Sequence, residues 1–363
     1  MKKKIIYFTK HTSAGPSSRY RSYQYKSYFE NAGYAIEYYP LFPASYLKSL
    51  YEKGKKPMLT FFYAYIKRFF QVLFLKRCDI LFIEYELFPF TPFFIEYLLL
   101  KNKKNIILDY DDAVFHNYDK SPSRIIRILC ANKIYRLVKL ASNVITGSPY
   151  LTEVLGEHAK KITEISTSIS FTRYQQGIKN QQQENNSGAP FRIGWIGSKT
   201  TSVNLLPLKQ CFLELQEKYH TELALIGFDK FLIHELQGLR YQLIPWQEDT
   251  EIQQLLTFDT GIMPLTDDAF NNGKCGFKLI QYMACGLPTV STPLAANIKI
   301  NRNKKNLHAV TTGDWKAAIT EIINNRQYFK EEVGKENIEI VKEYYCAEAN
   351  YINYIEIFKS VCS

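Results

Sequence analysis

The chain has 363 residues, 46% of them apolar and 22% charged, with a formal net charge of +11. That length suits about two domains of roughly 150 residues, and the composition excludes wholesale disorder. The charge is uneven: residues 1–175 hold 27 Lys and Arg against 14 Asp and Glu, and residues 176–363 hold 19 against 21, so two halves with different partners are expected.

Met1-Lys2-Lys3-Lys4 opens on an apolar run at 5–8 that is too short for a secretory leader and lacks a small-residue cleavage site. Residues 5–9 read as a buried strand, 22–32 as a helix closed by Gly33, and 34–39 as a second strand. Residues 58–75, MLTFFYAYIKRFFQVLFL, carry Lys67 and Arg68 at their centre. Two mid-bilayer charges at about 2.5–3.5 kcal/mol each argue against a span. Two readings stay open: a membrane-interface helix flanked by Lys53, Lys55, Lys56, Lys76 and Arg77, or a core helix whose Lys67 and Arg68 reach outward.

Strands follow at 79–84 and 105–109, then a helix over 123–140 with basic residues on one face, then a strand at 143–146. Residues 175–188, QQGIKNQQQENNSG, are polar and aperiodic and read as a linker. After it the spacing predicts strands at 191–196, 222–226, 241–245, 261–263 and 289–291. It predicts helices at 205–219, 252–256, 278–284 and 315–324 and a long closing helix over 331–361. Strands alternating with helices imply an α/β fold of two Rossmann-like domains with parallel sheets facing an interdomain cleft. Ligands in such sheets sit beyond the carboxyl ends of the strands. The seven cysteines (Cys78, Cys130, Cys211, Cys275, Cys285, Cys346, Cys362) form no CxxC pair, which argues against a disulfide framework or zinc site and fits a reducing compartment.

The densest chemistry lies at 267–293, DDAFNNGKCGFKLIQYMACGLPTVSTP. Gly273-Lys274-Cys275-Gly276 runs into a helix beginning near Phe277, and a helix start with Lys274 and Lys278 beside it suits a diphosphate. Gln281, one turn on, is placed to bond a ribose. An ordinary loop before a core helix with solvated lysines is the alternative. The run GKCGFKLIQYMACGLPTVSTP resembles the donor-site signature of the family 4 retaining glycosyltransferases of GT-B fold, with Met283-Ala284-Cys285-Gly286 and Pro288 in direct match. The family's second glutamate, a ribose ligand, falls at Gln281; its first falls at Gly273, where there is no carboxylate.

The resemblance implies an acceptor-binding domain over 1–175, a linker at 176–188, a nucleotide-sugar donor domain over 189–345, and a closing helix over 346–363 able to pack back on the first domain. It implies donor contacts from Gly197, Ser198, Lys199, Thr200, Trp246, Lys274, Cys275, Gly276, Phe277 and Gln281, with Lys278 beside the donor phosphates. In the first half, Gly15, Arg19 and Arg21 form a loop suited to phosphate oxygens, with a plain polar surface loop as the alternative. Asp111 falls where many members have a histidine contacting the transferred sugar, and Asp112 lies beside it. Capping and loop structure are the alternative for both. Glu84, Glu86 and His116 are further candidates near the same strand ends. No metal and no cofactor is expected, the nucleotide-diphosphate sugar being a co-substrate.

Retention without a protein nucleophile, a glycan or polyprenyl-diphosphate-linked acceptor, a role in cell-surface polysaccharide synthesis, and a cytoplasmic place at the anionic inner face of the plasma membrane complete the expectation. The alternatives are a sugar-nucleotide epimerase of the same fold and a basic protein binding nucleic acid or membrane. No nucleic-acid module is recognisable, so no nucleic-acid partner is expected.

Overall fold

The strands Ile80–Glu84 and Ile106–Tyr110 are buried along their whole length, with no polar alternation, as parallel strands covered by helices on both faces must be. The computed structural model describes residues 2–53, 57–180 and 188–362, apart from the side chains of 50–53. They group into two units: 1–168, 272–275 and 350–363 form one, and 169–271 with 276–349 form the other.

In the first unit β1 (Lys3–His11), β2 (Tyr34–Phe42), β3 (Ile80–Glu84), β4 (Ile106–Tyr110), β5 (Asn143–Thr146) and β6 (Ile162–Glu164) form a parallel sheet of order β2-β1-β3-β4-β5-β6. Helices α1 (Pro16–Arg21) and α2 (Lys26–Asn31) follow β1, and α3 (Ala44–Lys53) and α4 (Met58–Leu73) follow β2. After β3 comes α5 (Phe93–Leu100). After β4 come α6 (His116–Asp119), α7 (Arg124–Cys130) and α8 (Lys133–Val138), and after β5 comes α9 (Pro149–Gly156). From β2 onward each crossover steps the same way across the sheet, so right-handed connections place α4, α5, α7, α8 and α9 on one face. One core confirms this, joining Ile6, Phe8, Leu81, Ile83 and Leu108 of the sheet to Val72, Phe93, Cys130, Ile134 and Leu151 of those helices. On the other face Tyr7 stacks on Phe82, and Tyr25 and Phe29 of the first helices meet Tyr354 and Phe358.

The second unit holds α10 (Phe171–Lys179), β7 (Phe191–Ile196), α11 (Lys209–Lys218), β8 (Thr221–Ile226), β9 (Tyr241–Ile244), α12 (Glu251–Leu255), β10 (Thr260–Met263), α13 (Ala269–Asn272) and α14 (Phe277–Ala284). It continues with β11 (Thr289–Ser291), α15 (Ala295–Ile300), β12 (Leu307–His308), α16 (Thr312–Asn324), α17 (Arg326–Tyr328), α18 (Gly334–Tyr344) and the start of α19 (Ala347–Val361). Its parallel sheet runs β12-β11-β10-β7-β8-β9.

The fold class read from the sequence therefore holds, two parallel α/β sheets, with differences in detail. The expected helix over 123–140 is two helices, and its Lys133 turns inward rather than onto a basic face. The expected linker begins inside α10, where Tyr174 and Gly177 are buried. The change of unit falls at Ser168 and Ile169, and residues 181–187 lie outside the described residues. The closing helix is interrupted at Tyr345-Cys346, because the Ile169 N–H donates to the Tyr345 carbonyl at 3.1 Å and the Ala347 N–H donates to the Ile169 carbonyl at 2.8 Å. Of the flanking lysines read beside residues 58–75, Lys55 and Lys56 lie outside the described residues, as does the Lys53 side chain.

Two buried charge clusters tie the first unit together. Arg21, fully buried, forks onto the Asp109 carboxylate and donates to the Ile165 carbonyl at 2.5 Å. Lys133 meets Glu86 at 2.6 Å and Glu96 at 2.7 Å, and Glu96 also accepts the N–H groups of Leu87 at 3.0 Å and Phe88 at 3.1 Å. Burial pushes the Glu96 carboxyl up; Lys133 opposes that but does not cancel it. Lys133→Met should cost about 3–5 kcal/mol at neutral pH by stranding two carboxylates. Urea unfolding should show the gap to the parent narrowing as pH falls, because burial favours the protonated Glu96 carboxyl; a gap independent of pH would contradict the charge origin.

Candidate functional site

In the second sheet the chain leaves β7 toward β8 and β9, but reaches β10, β11 and β12 on the other side. The strand order thus reverses between β7 and β10, the place where open parallel sheets form a crevice. Four loops end there. Gly197 follows β7, and its N–H donates to the Ile226 carbonyl at 3.0 Å. Gly227 follows β8 at φ +75°. A Cβ on Gly227 would lie 2.3 Å from the Gly197 carbonyl oxygen and 3.6 Å from the Trp246 Cβ, so the three loop ends are in contact. The fourth loop enters α14 through Gly276, at φ +68°, where a Cβ would meet Ile300 at 2.3 Å.

Helix α14 is locked over the reversal by Tyr282, whose hydroxyl accepts the Ile196 N–H at 2.9 Å and donates to the Ile262 carbonyl at 3.2 Å. One turn earlier Lys278 places its ammonium 4.5 Å from the centroid of the Trp195 ring, a cation–π contact that fixes the charge at the helix start. Gly276 gives α14 no side-chain cap, and the positive end of the helix dipole lies at its first turn. The loop after β7 carries the exposed hydroxyls of Ser198 and Thr200, whose oxygens lie 3.0 Å apart, with Lys199 between them in sequence and also exposed. A lysine, a helix start and a hydroxyl loop are the kinds of group that anion sites use.

Beneath it lies a buried polar group that sequence reasoning missed. Glu251 accepts from Trp246 Nε1 at 2.7 Å, Gln281 Nε2 at 3.0 Å and the Tyr174 hydroxyl at 3.4 Å. Trp246 is 38% exposed, so its ring is presented with its edge anchored. Gln281 is 4% exposed and spends its amide nitrogen on Glu251 and Tyr174. Gln281, expected to bond a ribose, here anchors Glu251 through its amide nitrogen.

Other expected contacts are also redirected. Lys274 pairs with Asp112 at 2.8 Å. Burial works against its ammonium, but Asp112 more than offsets this and the net direction is up. Gly273 and Cys275 group with the first unit, a Cβ on Gly273 meeting that of Ala113 at 2.4 Å. Burial, then Asp111, pushes the Cys275 thiol up. Phe277 stands at the first position of α14. Arg21 is withdrawn from any phosphate by its buried fork on Asp109. Arg19 bonds the Ser13 carbonyl at 2.8 Å, and Gly15 lies where a Cβ would meet His11 at 2.5 Å.

The three acids after β4 take three different partners: Asp109 takes Arg21, Asp111 the Tyr85 hydroxyl, and Asp112 Lys274. Among the described residues no group of three His, Cys, Asp or Glu is placed to hold a metal. Glu86 goes to Lys133, and His116 bonds Asp119 and Tyr150 at 2.8 and 2.9 Å. Glu84 accepts from Ser18 at 2.7 Å and from the Lys10 N–H at 3.2 Å. Burial pushes its carboxyl up to about 8, with the charge of Asp111 adding and these bonds opposing.

No protein-family profile matches the sequence, and no curated protein matches it. Solved structures do. A glycosyltransferase from Rickettsia africae is 14% identical at a TM-score of 0.67, over 99% of this chain and 98% of its own. Anabaena HepE in complex with UDP and glucose is 12% identical at a TM-score of 0.69, over 99% and 100%. A sucrose-phosphate synthase from Thermosynechococcus elongatus is 12% identical at 0.69, over 99% of each chain. The fold is that of the GT-B glycosyltransferases.

Glu84 carries a pH signature. Its pKa rises from 4.5 to about 8 on folding, so between those values the folded state keeps a proton that the unfolded state has released. Its contribution is intact below 4.5 and lost as pH rises through 8. Glu84→Gln should therefore gain stability relative to the parent as pH climbs from 5 to 8.5. Urea midpoints at three pH values would show this, and parallel curves would count against it.

Proposed function

We propose that the chain is a glycosyltransferase that takes a sugar from a uridine-diphosphate donor, with retention of configuration and without a metal. One observation carries this reading: Lys278 is held over Trp195 at the start of α14, where the loops after β7, β8 and β9 meet. The diphosphate lies against Lys278, the α14 terminus and the backbone of Gly197, Ser198 and Thr200. The half-exposed Trp246 ring offers a face to the base, and Glu251 keeps that ring in register. The fold shared with a structure that holds UDP supports the choice of donor.

A departing diphosphate gains charge as the glycosidic bond breaks. A fixed ammonium and helix dipole stabilise that charge most where it is greatest, in the transition state. The departing phosphate oxygen then takes the proton of the acceptor hydroxyl, so no protein nucleophile is required. Asp111, in the first unit, is the residue assigned to orient a sugar or acceptor hydroxyl. The acceptor in this reading is a glycan or a polyprenyl-diphosphate-linked saccharide of a cell-surface polysaccharide. The described cysteines are all free thiols, in keeping with a cytoplasmic setting.

Thermal shift tests the reading directly. UDP and UDP-glucose should raise the midpoint of the parent, by about 2.7 kcal/mol of stability at a hundredfold excess over Kd. Lys278→Ala should fold normally, bind UDP at least ~tenfold more weakly and transfer no sugar. Absence of any nucleotide shift, or near-parental turnover by Lys278→Ala, would overturn it.

A further inference from the structure

Helix α4 is built with its polarity reversed. Arg68 points inward and is 1% exposed; it donates to the Thr9 carbonyl at 2.9 Å and the Tyr39 carbonyl at 2.7 Å, and its guanidinium lies 4.7 Å from the Phe8 ring centroid. Burial brings its pKa down to about 9. The opposite side presents Leu59, 87% exposed, with Phe62, Tyr63, Ile66, Phe70 and Leu73. The sequence left open whether Lys67 and Arg68 both reach outward; Arg68 does not, and aromatic rings occupy the outer face.

Two further helices of the same layer repeat the pattern. In α5, Phe93 and Leu100 enter the core while Phe94, Tyr97 and Leu98 stay outside. In α7, Cys130 is buried while Ile125, Ile128 and Leu129 are exposed. The layer that covers one face of the first sheet thus carries a second, outward apolar stripe on three helices. Surface of that kind marks an interaction site.

Its charge says what covers it. Residues 57–77 and 120–140 contain no Asp or Glu, and 88–104 contain only Glu96, which is buried on Lys133. Lys67, Lys76, Arg77, Lys101 and Arg124 on those segments are exposed. An open hollow on the flank of α4 sets Lys67 and Lys76 among Tyr63, Ile66, Phe70 and Phe74, ammonium groups beside rings, as a lipid headgroup boundary requires. A second copy of the chain on a two-fold axis would bring this same patch against itself, cation facing cation, with few carboxylates to relieve it: Glu37 lies near Lys76 but is paired with Lys4. Among the described residues no helix is long and apolar enough to cross a membrane.

We infer that the outer face of α4, α5 and α7 docks on an anionic lipid bilayer, with α4 lying along the boundary between headgroups and acyl chains. Apolar side chains enter the boundary, and the surrounding cations hold the phosphate layer. This inference does not rest on the proposed activity.

Sedimentation with vesicles tests it. The parent should bind phosphatidylglycerol-containing vesicles at least ~tenfold more tightly than pure phosphatidylcholine ones, and less tightly as salt rises. The variant Leu59→Ser/Phe62→Ser/Phe70→Ser changes only exposed side chains and should lose at least ~tenfold in vesicle affinity. Its UDP thermal shift should stay parental, which separates this test from that of the donor site. Lys67→Gln/Lys76→Gln/Arg77→Gln should lose the preference for anionic vesicles. No binding to anionic vesicles, or undiminished binding by the serine variant, would overturn the inference. So would a dimer in vesicle-free buffer that the serine substitutions split, since the face would then belong to a second copy.

Discussion

The hydroxyl of Tyr282 bonds the backbones of two neighbouring strands at once, accepting from Ile196 on β7 and donating to Ile262 on β10. Those strands are where the sheet order reverses, so nothing in the chain's own connectivity closes the gap between their ends. The ring reaches that position because Gly261 has no Cβ, which would lie 2.3 Å from it. Gly194 admits Phe258 by the same means, at 1.8 Å. With α14 held this close, its first turn falls beside Trp195, and Lys278 has one ring to rest on. The place of Lys278 is thus a consequence of helix-to-sheet packing. A helix standing one side-chain layer further off would carry the same lysine to a different place.

The parts legible in the sequence were those set by local patterning. Strands of a doubly covered parallel sheet are unbroken apolar runs, and 191–196 and 289–291 fall at the expected residues. The glycine loop into α14 was legible because a left-handed backbone before a helix start demands glycine at Gly276. The short edge strands β6 and β12, of three and two residues, carry no such run and were missed. The 175–179 segment reads as linker because its residues are mostly polar, while the residues that hold α10 down are few.

Side-chain partners set by tertiary distance were not legible. Arg21 meets a carboxylate 88 residues away, and Lys274 one 162 residues away. Each reads, taken alone, as a free cation in a loop suited to phosphate. Gln281 matched a signature position, yet it bonds Glu251, 30 residues upstream in a polar stretch with two other acids and no periodicity. A signature locates a backbone; the polar atoms available to a ligand depend on what the rest of the fold has already taken.

The charge excess of the first half divides along the same line. Among the described residues three of its cations are interior: Arg21 and Lys133 face carboxylates, and Arg68 faces backbone carbonyls. They fix strand ends and helix positions and add little to the surface field. The cations that remain outside are spread over a helical layer nearly bare of acids. That layer draws its stability from Val72, Phe93 and Cys130 turned toward the sheet, and its outer residues contribute little to the folded state. Selection for stability alone would favour polar side chains at Leu59, Phe62 or Ile128, where burial gains nothing. Their presence beside exposed cations is what the inferred lipid contact asks of that surface.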